Sequence, residues 1–182
     1  MARVPQLALA FCVDTAAAAS ASPLVERIVV VTDDEAARSA LGGLRGVRFE
    51  ADPSGGLNAA IAAGLRATTG AVVVLPADLP ALTPEALDAA LALAAAHPAA
   101  MVADHSGQGT TLLAARVPDA LSPRFGEGSR RLHEQAGHVV LEVGETSPLR
   151  WDVDTADDLA VAVGLGVGAA TARAVAESFA GA

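Results

Sequence analysis

Three aspartates occupy two distant places in the chain where strand-like segments end. Asp78 follows the apolar run at 72–75, while Asp152 and Asp154 precede a helix-like stretch that begins at Ala156. In an open α/β sheet, ligands bind in the crevice at the carboxyl ends of the strands. Carboxylates that meet there can hold a divalent metal ion, a common partner of reacting phosphates. The spacing therefore predicts metal-dependent phosphate chemistry.

Each of these residues also has a purely structural interpretation. Asp78 could cap a turn before Pro80, and Asp154 could cap the helix that follows it. We favour the metal site because all three carboxylates fall at strand ends, and charged groups that cluster in a cleft are typical of functional sites.

Two glycine-containing segments could bind an anion. In residues 104–111, backbone N–H groups and the Thr110 hydroxyl suit an anion, although a simple turn between two strands fits equally. In residues 124–131, Gly126 allows close backbone approach, and Ser129 begins a helix predicted to reach about residue 135. A helix N-terminus binds phosphate or carboxylate, although a capped helix with a solvated basic turn is the alternative.

Residues 52–58 run from a strand through glycines, including Gly56, into a helix that contains Asn58. This loop lacks the lysine of a Walker loop and the spacing of a dinucleotide fingerprint. Contact with a base or ribose is one interpretation, and an ordinary strand–helix turn is the other. The four histidines give no metal-binding set, and His133 and His138, which flank Gly137, are expected to be exposed.

Composition limits the possible partners. The formal net charge of −9 and the aromatic content of 3% argue against nucleic acid and anionic membranes. The sequence contains no uncharged apolar stretch of about 20 residues, so no membrane span is predicted. The lone Cys12 fits a reducing cytoplasm. All twelve basic residues are arginine, and the chain contains no lysine.

The order of elements predicts how these residues are positioned. Helix and strand alternate through the first half, which indicates a mostly parallel sheet with helices on both faces, and the strand-dense second half indicates a mixed edge. The chain, 1–182, is predicted to be one domain. Helices are expected near 3–19, 33–44, 57–67, 84–96, 155–163 and 169–179, and strands near 28–32, 47–51, 71–75, 100–104, 111–115 and 139–143.

With these segments identified, the chain resembles the 2-phospho-L-lactate/phosphoenolpyruvate guanylyltransferase family of deazaflavin coenzyme F-420 biosynthesis. The resemblance covers nearly the whole chain in the right order, and the tail at 165–176 is similar to the phosphoenolpyruvate-using branch. The matching segments are Leu57-Asn58, Asp78 to Leu82, Ala103 to Thr110, Pro123 to Ser129, and Asp152 to Thr155.

The resemblance implies a three-layer nucleotidyltransferase fold of Rossmann-like, GT-A-like type. It implies that GTP and phosphoenolpyruvate, or 2-phospholactate, are condensed with release of pyrophosphate, in the cytoplasm and in a possible homodimer. It implies roles for these residues: Asp78, Asp152 and Asp154 as the magnesium-binding catalytic set, and Thr110, Gly126 and Ser129 as contacts to the phosphorylated acid. We expect Gly56 and Asn58 on the nucleotide side.

The start of the sequence differs from the family pattern. The family begins with a strand and a lysine-containing nucleotide loop, whereas this sequence starts within the next helix, so it is expected to be N-terminally truncated relative to the family. The strands at 28–32 and 71–75 should then either have a gap between them or pair directly with each other. Two alternatives stay open: a related molybdopterin guanylyl- or cytidylyltransferase, and an inactive acid-binding remnant.

Overall fold

The structure is a computed structural model that describes residues 3–180, in which helices and strands alternate along the chain. The helices are α1 (Arg3–Ala21), α2 (Glu35–Leu41), α3 (Leu57–Arg66), α4 (Pro84–Ala94), α5 (Ser129–Gln135), α6 (Ala156–Leu165) and α7 (Ala169–Ala180). The strands are β1 (Ile28–Val31), β2 (Val47–Glu50), β3 (Val72–Val74), β4 (Ala99–Ala103), β5 (Thr110–Ala115) and β6 (Val139–Val140). The predicted elements are confirmed to within a few residues, with β6 shorter than expected.

Polar side chains fix where several helices begin. Asp34 accepts a hydrogen bond from the Ala37 N–H at the start of α2, and Thr83 does the same for α4, whose first residue is Pro84. The cap of α7 comes from a distant element: the Asp14 carboxylate in α1 accepts from the N–H groups of Ala170 and Thr171. This contact joins the two ends of the described chain.

The strands form two separate sheets. β1 and β2 pair in parallel, and the second sheet has the order β3-β5-β4-β6. In the larger sheet β4 and β6 are parallel, while β5 lies antiparallel between β3 and β4. The expected mixed sheet is therefore present, and its antiparallel strand lies inside the sheet, with β3 and β6 as the outer strands.

β4 and β5 form the centre of a three-layer structure. Alternate residues of both strands enter two different apolar clusters, as the two faces of a strand require. Ala100, Val102 and Leu112 pack with α1 and α4 on one face, whereas Met101 and Leu113 pack on the other. The fold thus matches the expected α/β class with helices on both faces. Among residues 3–180, no helix combines the length and apolarity that crossing a bilayer needs.

A cavity of about 790 Å³ separates the two sheets. Its sides are β1 and β3, which do not pair over the described residues, and residues of α1 and of α3 also line it. Although both strands are entirely apolar, every residue in them is only half-buried. The expected gap between these two strands is confirmed.

The side of β1 that faces away from β2 has backbone groups without a partner strand. Ile28 and Thr32 donate their N–H groups to carbonyls beside β2, over 3.0 and 3.1 Å. Successive peptide groups of a strand point to opposite sides, so those of Val29 and Val31 point away from β2. The cavity is therefore bounded as a strand inside a sheet would be. A strand edge lies on two of its sides, and a helix lies on each of the other two.

Candidate active site

Asp78 lies in the loop after β3, and three distant segments hold this loop. The Leu79 N–H donates to the Thr15 hydroxyl at 3.1 Å, which fixes the loop on α1. The Gly168 N–H donates to the Pro80 carbonyl at 2.9 Å, and the Val153 N–H donates to the Asp78 carbonyl at 3.0 Å. The last contact brings the segment with Asp152 and Asp154 beside Asp78, as the sequence predicted.

Arg150 fixes the segment that contains Trp151 and Asp152. Its guanidinium donates to the Asp104 carbonyl at 2.8 Å, and its own carbonyl accepts from the His105 N–H at 2.7 Å. The rings of His105 and Trp151 then stack, with centroids 4.3 Å apart and planes 7° from parallel. His105 Nδ1 lies 3.8 Å from an Asp152 carboxylate oxygen. Trp151 thus packs beside the aspartates.

The aspartates interact through their charges. Burial, together with the charges of Asp152 and Asp154, raises the pKa of Asp78 to about 6. Burial also raises the pKa of Asp152, with smaller contributions from the charges of Asp104 and Asp154. The raised pKa values mean that the ionised form of these carboxyls is disfavoured, because they are poorly solvated and close to other negative charges. A bound cation would stabilise the ionised form.

The structure tests the fit of a metal ion in two ways. One carboxylate oxygen of Asp78 is buried and has no hydrogen-bond donor, so it has an acceptor position available for a cation. Within residues 3–180, however, no three His, Cys, Asp or Glu side chains are arranged as a ready-made metal site. The three aspartates lie in one region and influence one another's charge, and the metal site stays a prediction.

The structure excludes the capping interpretation of Asp154. Thr155, not Asp154, is the N-cap of α6, and it forms a capping box with Asp158. Asp158 lies near the same cluster, with a carboxylate oxygen 3.9 Å from His105 Nε2. Hydrogen bonds from Thr155 lower the pKa of Asp158. Sequence reasoning missed Asp158, although the Thr-x-x-Asp spacing is a recognisable capping signal.

The three residues expected to bind the acid lie together at the start of β5 and of α5. The Ser129 hydroxyl donates to the Thr110 hydroxyl oxygen at 3.3 Å, and both side chains are buried. The Ser129 N–H donates to the Gly126 carbonyl at 3.1 Å. Gly126 has φ +125°, a conformation that favours glycine. Thr110 pairs with Ala103 of β4, so this pocket lies at the same edge of the sheet as the aspartates.

His133 differs most from its prediction. The side chain is fully buried rather than exposed, because α5 places it against Thr110 and the backbone of Arg124. His138 is buried as well, and its ring Nδ1 lies 3.0 Å from the His133 carbonyl. The neighbouring Gly137 suggested an exposed turn, whereas tertiary packing decides the burial of both rings.

The two remaining loops have partly structural roles. Asp104 organises the turn after β4 by accepting from the Ser106 hydroxyl and the Gln108 N–H, so the turn interpretation holds for that part of the loop.

Asn58 forms two hydrogen bonds with the Phe125 backbone, donating at 3.0 Å and accepting at 2.9 Å. This connects the start of α3 to the acid pocket. Gly56 is the exposed N-cap of α3, with φ 77°.

The chain is similar to known nucleotidyltransferases along most of its length. Residues 12–145 match the family described as the MobA-like NTP transferase domain. A phosphoenolpyruvate guanylyltransferase of Streptomyces scabiei is 48% identical over 94% of this chain and 84% of the relative. Proteins of the same name from Geodermatophilus obscurus and Streptomyces coelicolor are 49% and 45% identical, over 92% and 94% of this chain and 77% and 84% of the relatives. The chain therefore belongs to the MobA-like nucleotidyltransferases, within the phosphoenolpyruvate guanylyltransferase family.

Proposed function

We propose that this chain carries the acid and metal sites of a guanylyltransferase that joins GTP to phosphoenolpyruvate or 2-phospho-L-lactate, in cytoplasmic coenzyme F-420 biosynthesis. The observation that carries the proposal is the position of two clusters at one sheet edge. The buried hydroxyls of Thr110 and Ser129 lie together at the start of β5 and of α5. Asp78 follows β3, and Asp152 follows the helical turn Pro148–Arg150; the pKa of both carboxyls is raised, mainly by burial. Relatives that are nearly half identical carry the corresponding name.

The chemistry explains why both clusters are needed. A phosphate oxygen of the acid attacks the α-phosphorus of GTP, a new P–O bond forms, and the bond to the β-phosphate breaks to release pyrophosphate. Both reactants are anions, so the reaction depends on alignment and on neutralising charge more than on a general base.

The residues of this chain would divide these tasks. Asp78, Asp152 and Asp154 would hold Mg²⁺, which supplies charge neutralisation for the reacting phosphates. The Thr110 hydroxyl would donate to the phosphorylated acid, and Ser129, which donates to Thr110, would contact the acid beside it. A larger side chain at Gly126 would block the acid sterically.

The nucleotide side involves the cavity between β1 and β3. Gly56 and Asn58 lie where α3 begins, and Leu57 lines the cavity. A strand parallel to β1 would give partners to Val29 and Val31 and would enter α1 by a right-handed crossover. We propose that such a strand and a following lysine-containing loop, added upstream of α1, would fill the cavity and complete the nucleotide side. That loop would then hold the triphosphate, for which this chain has no lysine.

A thermal-shift titration separates this proposal from the related nucleotidyltransferases, whereas product formation by an upstream-extended form separates it from an acid-binding remnant. Stabilisation by phosphoenolpyruvate with Mg²⁺, but not by GTP, is expected for the 182-residue chain, because the residues proposed to bind the acid lie together and the cavity on the nucleotide side is open. Stabilisation by a molybdopterin and not by the small acids would instead favour the related nucleotidyltransferases. No response to either acid would contradict the proposal.

A further inference from the structure

His133 lies beneath the residues that are proposed to bind the acid, in contact with Thr110. Its ring is fully buried and bridges two elements: Nδ1 lies 2.9 Å from the Thr110 hydroxyl, and Nε2 lies 2.8 Å from the Arg124 backbone nitrogen. The Phe125 ring packs edge-on against it, with centroids 5.2 Å apart.

The two contacts determine the tautomer. A backbone N–H can only donate, so Nε2 must be the unprotonated acceptor for Arg124. A neutral ring then has its proton on Nδ1, which donates to the Thr110 oxygen. Burial, with smaller contributions from the charges of His138 and Arg124, lowers the pKa of His133 to about 4. The ring is therefore neutral at physiological pH and can form both bonds at once.

This arrangement sets the direction of the Thr110 hydroxyl. Its oxygen accepts from His133 Nδ1 and from the Ser129 hydroxyl. With both lone pairs occupied, the hydroxyl proton must point away from these two partners. Thr110 is thereby presented as a hydrogen-bond donor.

We propose that His133 is a positioning residue of the acid-binding site, which orients the Thr110 hydroxyl as a donor to the phosphorylated acid and holds the backbone at Arg124 beside it. The inference rests on the proposed function. His133 makes no contact with substrate in this role, and it acts only through Thr110 and the Arg124–Phe125 backbone.

Two conservative substitutions separate the two contacts. In His133→Asn, the amide nitrogen can replace Nδ1 and donate to Thr110, whereas the bond from Arg124 is lost. In His133→Gln, the amide oxygen can replace Nε2 and accept from Arg124, whereas the bond to Thr110 is lost. Calorimetric titration of the 182-residue chain with phosphoenolpyruvate and Mg²⁺ should show affinity about tenfold weaker in His133→Gln and within about threefold of the unaltered chain in His133→Asn.

His138→Asn is the matched control, since this histidine is also buried but has no contact with Thr110. It should lose thermal stability without losing affinity. A merely structural role for His133 predicts equal affinities in its Asn and Gln variants, and that result would overturn the inference while leaving the proposed function intact. No binding of phosphoenolpyruvate to the unaltered chain would overturn both.

A measurement on the unaltered chain covers the case in which His133→Gln does not fold. NMR of ¹⁵N-labelled imidazoles should show His133 as neutral with its proton on Nδ1 at pH 7. The Nδ1 signal should move when phosphoenolpyruvate is added, because Thr110 then donates to the ligand. A charged ring, a proton on Nε2, or a signal that ignores saturating ligand would contradict the inference.

Discussion

The Val153 N–H donates to the Asp78 carbonyl oxygen over 3.0 Å, although the two residues are 75 positions apart in the sequence. This bond joins the loop after β3 to the segment before α6. It makes one charged cluster from aspartates that the sequence presents as two separate motifs.

Removing one carboxylate should abolish most of the catalysis. Asp152→Asn keeps the size of the side chain but removes its charge, so turnover of a catalytically competent, extended enzyme should fall by about 100-fold or more. Steady-state release of pyrophosphate measures this. Asp157→Asn, an exposed residue in the first turn of α6, is the control and should retain activity. Normal turnover in Asp152→Asn would remove Asp152 from the site.

The raised pKa of Asp78 predicts a pH dependence of stability in the absence of metal. The folded state binds a proton at Asp78 up to about pH 6, whereas the ordinary value is 3.8. This group therefore stabilises the fold below about pH 4, and that contribution is lost as the pH rises through 6. The difference in unfolding free energy between the unaltered chain and Asp78→Asn, measured with urea, should decrease over that range and be flat above it. A constant difference would contradict the burial of this carboxyl.

His133 should give the opposite slope. Its pKa lies at about 4 in the fold and at 6.5 ordinarily, so its contribution is fully present above pH 6.5 and is lost as the pH falls towards 4. The unaltered chain should therefore lose stability relative to His133→Gln as the pH decreases through this window. Because the two groups offset each other between pH 4 and 6, each must be measured as a difference from its own variant.

A glycine beside α7 should be intolerant of any side chain. A Cβ at Gly168 would lie 2.8 Å from the Asp14 Cβ and closer still to its carboxylate, which caps α7. Gly168→Ala should destabilise the fold by about 1–3 kcal/mol through overpacking. Gly164→Ala is the control, because its Cβ would meet no atom within 4 Å and it lies within helix α6. Equal melting temperatures for the two variants would contradict this packing.

The acid pocket should respond to two small changes. Ser129→Ala removes a buried hydroxyl and should weaken phosphoenolpyruvate binding by about tenfold. Gly126→Val should reduce binding further, because φ +125° does not suit a β-branched residue. Gly144→Val is the matched control, since a Cβ there meets nothing and its φ is not positive. Unchanged calorimetric affinity in both pocket variants would place the pocket elsewhere.

Local sequence signals predicted most of the fold. The apolar runs, Thr83-Pro84 and the turn glycines located the elements, because these signals depend on neighbours in the chain. The burial of His133 and the cap that Asp14 provides to α7 could not be predicted, since both depend on contacts between elements far apart in sequence.

The cavity between β1 and β3 leads to the most direct test. We expect the 182-residue chain to be aggregation-prone, with exposed strand edges, and to form no product from GTP. Pyrophosphate release from GTP and phosphoenolpyruvate, with Mg²⁺, should be measured in this chain and in a form extended upstream by a strand and a lysine-containing loop. The account predicts that only the extended form makes the guanosine diphospho-acid product, and that Asp152→Asn removes this activity. Full activity in the unextended chain, or none in the extended form with either acid, would contradict it.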